Sequence, residues 1–262
     1  MIRKSASLFA LGLSLSASWL DESAQAQEPP GAEARAGAVQ DVTRAFASTQ
    51  SAAVEPGAAV TTAWGGYDGA ARVPVFSVGT EVRVVRRVSL IAGVAYGSAS
   101  ASSAGLRPQL GARVQLLDQL ASGVDASATF MFRQDRFTAE DGLFQGALAF
   151  GRTFGETSAV LNVVYAQDGE GDDHEGELRL AAVRRVHGGL HIGFEGRYMH
   201  SLASTDPRRA ALGTPSMEAK AGPLVAYLAG SWAFIAEVGV CSRETSRVDT
   251  GFTTLGGVAT TF

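Results

Sequence analysis

The chain has 262 residues, 46% of them hydrophobic, with 22 Lys and Arg against 26 Asp and Glu and a formal net charge of −4. That balance excludes a basic nucleic-acid-binding surface, and the single cysteine, Cys241, excludes an intramolecular disulfide. Beyond its first residues the chain has no apolar stretch near the roughly 20 residues of a spanning helix, and its length suits one all-β domain.

Arg3 and Lys4 form a short basic region before the apolar stretch Leu8 to Leu15, and Ala24-Gln25-Ala26 supplies small residues for cleavage before Gln27. This pattern predicts a secretory signal over residues 1–26. Residues 27–56 are rich in Ala, Glu, Gln and Ser. They read as a periplasmic tail, or as a short helix with Val39, Val42 and Phe46 on one face that plugs the domain that follows.

From about residue 57 to residue 262 the period is two. In Leu106 to Leu116 every even residue is apolar and every odd one is Arg, Gln or Gly after Gly105; Pro74 to Val84 and Leu190 to Tyr198 split the same way. Such alternation predicts strands with one apolar and one polar face. Twelve strands are expected, over about 58–66, 73–85, 88–98, 105–116, 120–133, 142–152, 157–167, 175–185, 189–200, 216–228, 231–241 and 249–262; ten or fourteen also fit the pattern. Short turns near Arg86-Arg87, Asp118-Gln119, Phe154-Gly155, His187-Gly188 and Gly230 alternate with longer connections at 65–72, 97–104, 134–141, 168–174, 201–215 and 242–248. Pro108 and Pro223 fall inside strands and predict local register breaks.

The last strand runs into Phe262, and Phe130, Phe132, Phe144, Phe150 and Phe194 fall on uncharged apolar faces. These features resemble the bacterial outer-membrane β-barrels, whose strands face lipid on one side only. The resemblance implies an antiparallel up-and-down barrel in the bacterial outer membrane. It implies contact with membrane lipid and lipopolysaccharide, and recognition of Phe262 by the barrel-assembly machinery. The expected state is a monomer without cofactor or metal. Trp64, Tyr96, Tyr165 and Tyr198 are expected in one aromatic girdle, and Tyr227, Trp232 and Phe262 in the other. Arg152 and Arg184 are expected on the lipid side at strand ends.

The inward set is predicted to include Glu81, Arg83, Arg107, Arg113, Asp125, Arg133, Glu177, Arg179, His191, Glu195, Arg197, Glu218 and Lys220. Small residues at Gly79, Gly93, Ala95, Gly97, Gly111, Gly193 and Ala221 are expected to leave room beside them. Two arrangements of these charges satisfy electrostatics: a paired, sealed interior, or a wet pore. Arg83, Arg107, Arg113 and Arg133 would make a basic strip suited to anions. The favoured function is a small diffusion channel with weak anion selectivity. Its rival is a non-conducting barrel that displays loops 134–141, 168–174 and 201–215. A lipid-modifying enzyme is the third option; its only adjacent nucleophile and base are His200-Ser201, with no group to orient the His. The acidic run Asp168 to Glu175 lacks the full calcium-loop spacing.

Overall fold

A computed structural model of the protein describes residues 59–97, 105–134, 142–169, 171, 173–204 and 215–262. The expected secretory segment and the expected tail or plug lie outside the described residues, as do all but Gln134 of the expected display loop 134–141 and most of 201–215. Twelve strands follow one another: β1 (Ala59–Asp68), β2 (Val73–Val85), β3 (Val88–Gly97), β4 (Gly105–Leu117), β5 (Asp125–Gln134) and β6 (Gly142–Phe154), then β7 (Thr157–Asp168), β8 (Asp173–His187), β9 (Leu190–Ser204), β10 (Met217–Ala229), β11 (Trp232–Glu244) and β12 (Val248–Thr261). Each pairs antiparallel with its neighbours in sequence, and β1 pairs with β12, so the sheet closes into a barrel. At the seam the Phe262 N–H donates to Ala59 O at 2.9 Å, and the Ala59 N–H donates to Phe262 O at 3.3 Å. Closure satisfies the edge groups that hydrocarbon cannot hydrogen-bond.

The two-residue turns after β6, β8 and β10 place Gly155, Gly188 and Gly230 at positive φ, where a side chain would be strained. The turn after β4 differs from expectation. Residues Gln119–Ser122 form one helical turn, α1, so β5 starts at Asp125 rather than near 120. Asp118 caps it by accepting from Leu120 N, and Gly123 ends it in the left-handed region. The connections after β1 and β11 are shorter than expected because the strands run on to Asp68 and Glu244. The Asp68 carboxylate folds the first of these by accepting from Ala70 N at 3.0 Å and Ala71 N at 2.9 Å.

Neither proline shifts the register. Val94 stays opposite Pro108, and the β4–β5 ladder starts only at Gln109, so Pro108 lies past its end. Around Pro223, Ala221 and Leu224 keep consecutive register with Val240 and Glu237. The shifts occur instead next to connections, at Arg83/Val85, Gln115/Leu117, His174/Glu175 and Arg185/His187. There a bulge strengthens the twist without opening the wall.

The outward face is apolar over its whole circumference. Val78, Leu90, Leu110, Phe130, Leu148, Val163, Leu180, Phe194, Val225, Val240 and Phe252 are all exposed. A patch of this extent is not stable against water and fits lipid. Phe76 stacks on Tyr96 at 5.1 Å, and Trp232 lies against Phe234 at 6.5 Å. Tyr165, Tyr198, Tyr227 and Phe262 also face outward as expected. Arg152 is outward too, with its guanidinium 5.7 Å above the Phe154 ring.

Trp64 is a correction. It faces the lumen, opposite Gly257, and packs on a buried apolar cluster of Val160, Ala181, Val183, Leu224, Ala226 and Ile235. A Cβ on Gly257 would lie 2.2 Å from the indole, so glycine makes room for the ring. Tyr67 takes the outward position at that end of β1. Ala221 is the second correction: Leu224 and Ala226 are buried while Val225 and Tyr227 are exposed, so the odd residues of β10 face lipid.

Candidate functional site

The barrel interior is the candidate site, and alternation alone delivers most of its charges there. Its two sides differ. Along β1–β4 the inward side chains are partly exposed, except Ser89 and Arg113. Along β5–β12 most of the middle of the wall is buried, from Ser127, Thr129 and Asn162 through Glu195 and Glu237 to Thr253.

On the buried side the register stacks charges in rungs. Arg179, Arg197 and Lys220 stand side by side on β8, β9 and β10. The neighbouring rung carries Glu177, Met199 and Glu218. Glu177 therefore meets two arginines. Arg179 donates to it through both Nε at 2.8 Å and Nη2 at 2.9 Å, and Arg197 Nε donates to the same carboxylate. Arg197 Nη1 also donates to Glu218 at 3.3 Å. A buried charge must be paired and hydrogen-bonded, and this network meets that demand for the arginines it holds.

Deeper along the same wall, Glu195 is 1% exposed. Glu237 is equally buried, and neither of its carboxylate oxygens has a hydrogen-bond donor. His191 is buried near the short-turn end, its Nδ1 3.0 Å from Gly189 O. It borders a recess of about 280 Å³ lined also by Ser158 and Arg185. At the same recess Arg185 of β8 holds Glu156 of the β6–β7 turn by two hydrogen bonds, one at 2.8 Å. These bonds hold the Glu156 carboxyl below its ordinary range. Asp125 serves the turn rather than the open lumen, since its carboxylate accepts from Gln119 N at 2.9 Å.

On the open side, Arg113 is anchored by Glu81 at 3.2 Å and donates to Thr129 at 3.2 Å. Arg83 and Arg107 face inward along the same wall. Arg133, one strand further, feels the like charges of Arg107, Arg197 and Arg179 and the opposite charge of Glu175. From β2 to β5 the inward charges are thus Arg83, Arg107, Arg113 and Arg133 against Glu81 and Asp125. Arg83, Arg107, Arg113 and Arg133 thus lie on one side of the interior, while on the other side carboxylates pair with Arg179 and Arg197.

His200 and Ser201 point to opposite faces. His200 faces outward and stacks on Tyr198, while the Ser201 N–H donates to Ser216 O. Neighbours in a strand diverge in this way, so the two side chains do not form a nucleophile and base. Asp168 accepts from Gly171 N at 2.7 Å and Asp173 N at 3.2 Å, which assigns its carboxylate to folding the turn. Among the described residues no group of three acidic, His or Cys side chains is placed to hold a metal ion. Cys241 faces Asp68 across the wall, at 3.7 Å.

No protein-family model matches the chain, and no curated protein matches it. Solved structures do. One is a KdgM porin in complex with disordered oligogalacturonate, with TM-score 0.54 and 13% identity over 78% of this chain and 99% of that one. Another is a NanC porin, with TM-score 0.51 and 9% identity over 76% and 98%. At these identities the likeness establishes the fold, a porin-like barrel of general class. With the apolar outer wall it places the protein in the bacterial outer membrane.

Proposed function

We propose that the barrel is a passive diffusion channel for small hydrophilic solutes, and that its water path is off-centre, along β1–β4. The observation that carries this reading is the difference in exposure between the two interior walls. Along β1–β4 the partly exposed inward positions include residues as small as Gly79 and Ala95. The path passes Arg83 and Arg107, with Arg133 beyond, so anions are favoured over cations. Likeness to porins supports a channel in general, and an acidic saccharide such as the oligogalacturonate of the KdgM structure is a reasonable first solute to try.

The deep burial on β5–β12 favours a second reading, a non-conducting barrel that acts through its loops. Single-channel recording in planar bilayers separates the two. The channel reading expects discrete current steps with chloride preferred to potassium. It also expects that preference to weaken in an Arg83→Glu, Arg107→Glu double variant. A folded barrel that gives no steps overturns it and leaves the loop-display reading.

A further inference from the structure

The recess at the short-turn end has more hydrogen-bonding capacity than the protein uses. It holds about 280 Å³ and is lined by Ser158, Arg185 and His191, with Gly155, Gly188 and Gly230 of three turns at its rim. Two residues further into the barrel from Ser158, Arg185 and Leu228 stand Val160, Val183 and Ala226, all members of the buried apolar cluster. The recess is therefore roofed by hydrocarbon and opens at the turns. A Cβ on any of the three rim glycines would meet nothing within 4 Å, so the mouth is uncrowded.

Two buried side chains present unused polar atoms here. Ser158 is 4% exposed, and its Oγ lies 2.7 Å from Thr153 Oγ1. One hydroxyl hydrogen serves that contact, and the second has no acceptor among the described residues. His191 is 3% exposed. Its Nδ1 donates to Gly189 O, since a carbonyl only accepts, and Nε2 on the other edge of the ring has no partner among the described residues. Polar atoms left unused on side chains this buried cost free energy until a ligand or water meets them.

Charge selects the ligand. The groups whose field reaches Glu156 at the rim are Arg185, His191 and Arg184, all basic. The acid in the lining is Glu156 itself, and both of its oxygens are already held by Arg185. Basic surroundings disfavour a cation, and a hydroxyl hydrogen needs an acceptor. An oxyanion answers both demands. At roughly 30 Å³ per water the recess holds about nine water volumes, which is room for a phosphate or carboxylate with a small substituent.

We infer that this recess is a binding site for a small oxyanion, a phosphate or a carboxylate, taken up from the side of the barrel that carries the short turns. The site does not depend on whether the lumen conducts. The protein purified in non-ionic detergent is to be titrated with inorganic phosphate, with acetate, and with glycerol as the uncharged control. Binding is read by calorimetry and by nitrogen NMR of labelled histidines. The expected result is one saturable site for phosphate, acetate or both, none for glycerol, and a moved Nε2 signal that is absent from the His191→Gln spectrum. Either anion binding alone supports the site and names the group it reads. Ser158→Ala and His191→Gln should each weaken binding about fivefold. The Arg83→Glu, Arg107→Glu double variant alters the lumen strip and should leave this affinity unchanged. Heat-modifiable gel mobility verifies that each variant is folded. No saturable binding of either anion, binding that glycerol matches, loss of binding in the lumen double variant, or unchanged affinity in both folded recess variants would overturn the assignment.

Discussion

The two interior walls are made of equally regular strands, yet they handle charge and space in different ways. On β8–β10 Arg179 and Arg197 are locked to carboxylates, and a cluster of apolar side chains fills the space below them. On β2–β4 the inward glycines Gly79, Gly93 and Gly111 share the wall with the partly exposed Arg83 and Arg107. Trp64 belongs to the first wall by contact although it grows from β1, because Gly257 on β12 lets its ring lie across toward β10 and β11. The difference teaches that strand count alone does not set the bore of a small barrel. What its inward positions pack against decides how much of the cross-section stays wet.

Three substitutions test that contrast. The largest effect is expected from Glu177→Gln, which leaves the partly buried Arg179 and Arg197 without their shared carboxylate. It should cost about 3 kcal/mol of stability, measured by urea unfolding in detergent micelles. A loss below 1 kcal/mol would mean that the network is not the bracing of this wall. Trp64→Ala comes next. Removing a partly buried indole should cost about 2 kcal/mol in the same measurement and should raise conductance if the indole narrows the path. Gly79→Trp acts on the other wall. A Cβ there meets nothing closer than 3.6 Å, so the variant should fold normally. It should cut single-channel current by roughly half if water runs beside it.

The smallest effect belongs to Glu156, outside the contrast between walls. Its carboxyl lies below the ordinary value of 4.5 because Arg185 donates hydrogen bonds to it. A depressed folded-state value adds stability that is present above the unfolded value and lost as pH falls through the folded one. Glu156→Gln should therefore flatten the acid end of the stability profile and change nothing at neutral pH beyond the loss of an exposed ion pair. An unchanged acid limb in thermal melts at stepped pH would remove Arg185 as the cause.

Much of the barrel was legible from period-two alternation. Leu106 to Leu116 and Leu190 to Tyr198 fixed both the strand and its inward face, because polar residues mark the lumen there. Alternation lost its phase where the lumen itself is apolar. Around Ala221 to Leu228 both faces are hydrophobic, so Ala221 was placed inward although it faces lipid. Trp64 failed for a related reason: it and Tyr67 lie on opposite faces, and the glycine that accepts the indole is nearly two hundred residues away in sequence. The helical turn α1 did leave a local signal, in Asp118 before it and Gly123 after it. The pairing of Glu177 with two arginines needed the register of β8 against β9, which composition and spacing do not carry.

The most direct test of the off-centre path is the rate at which a charged thiol reagent reaches an inward cysteine on each wall, read as a change in single-channel current. In a Cys241→Ser background, Ser77→Cys on β2 should react quickly and reduce the current stepwise. Ala226→Cys on β10, whose native side chain is fully buried, should react slowly or not at all. Equal rates on the two walls, or faster reaction at position 226, would contradict the account.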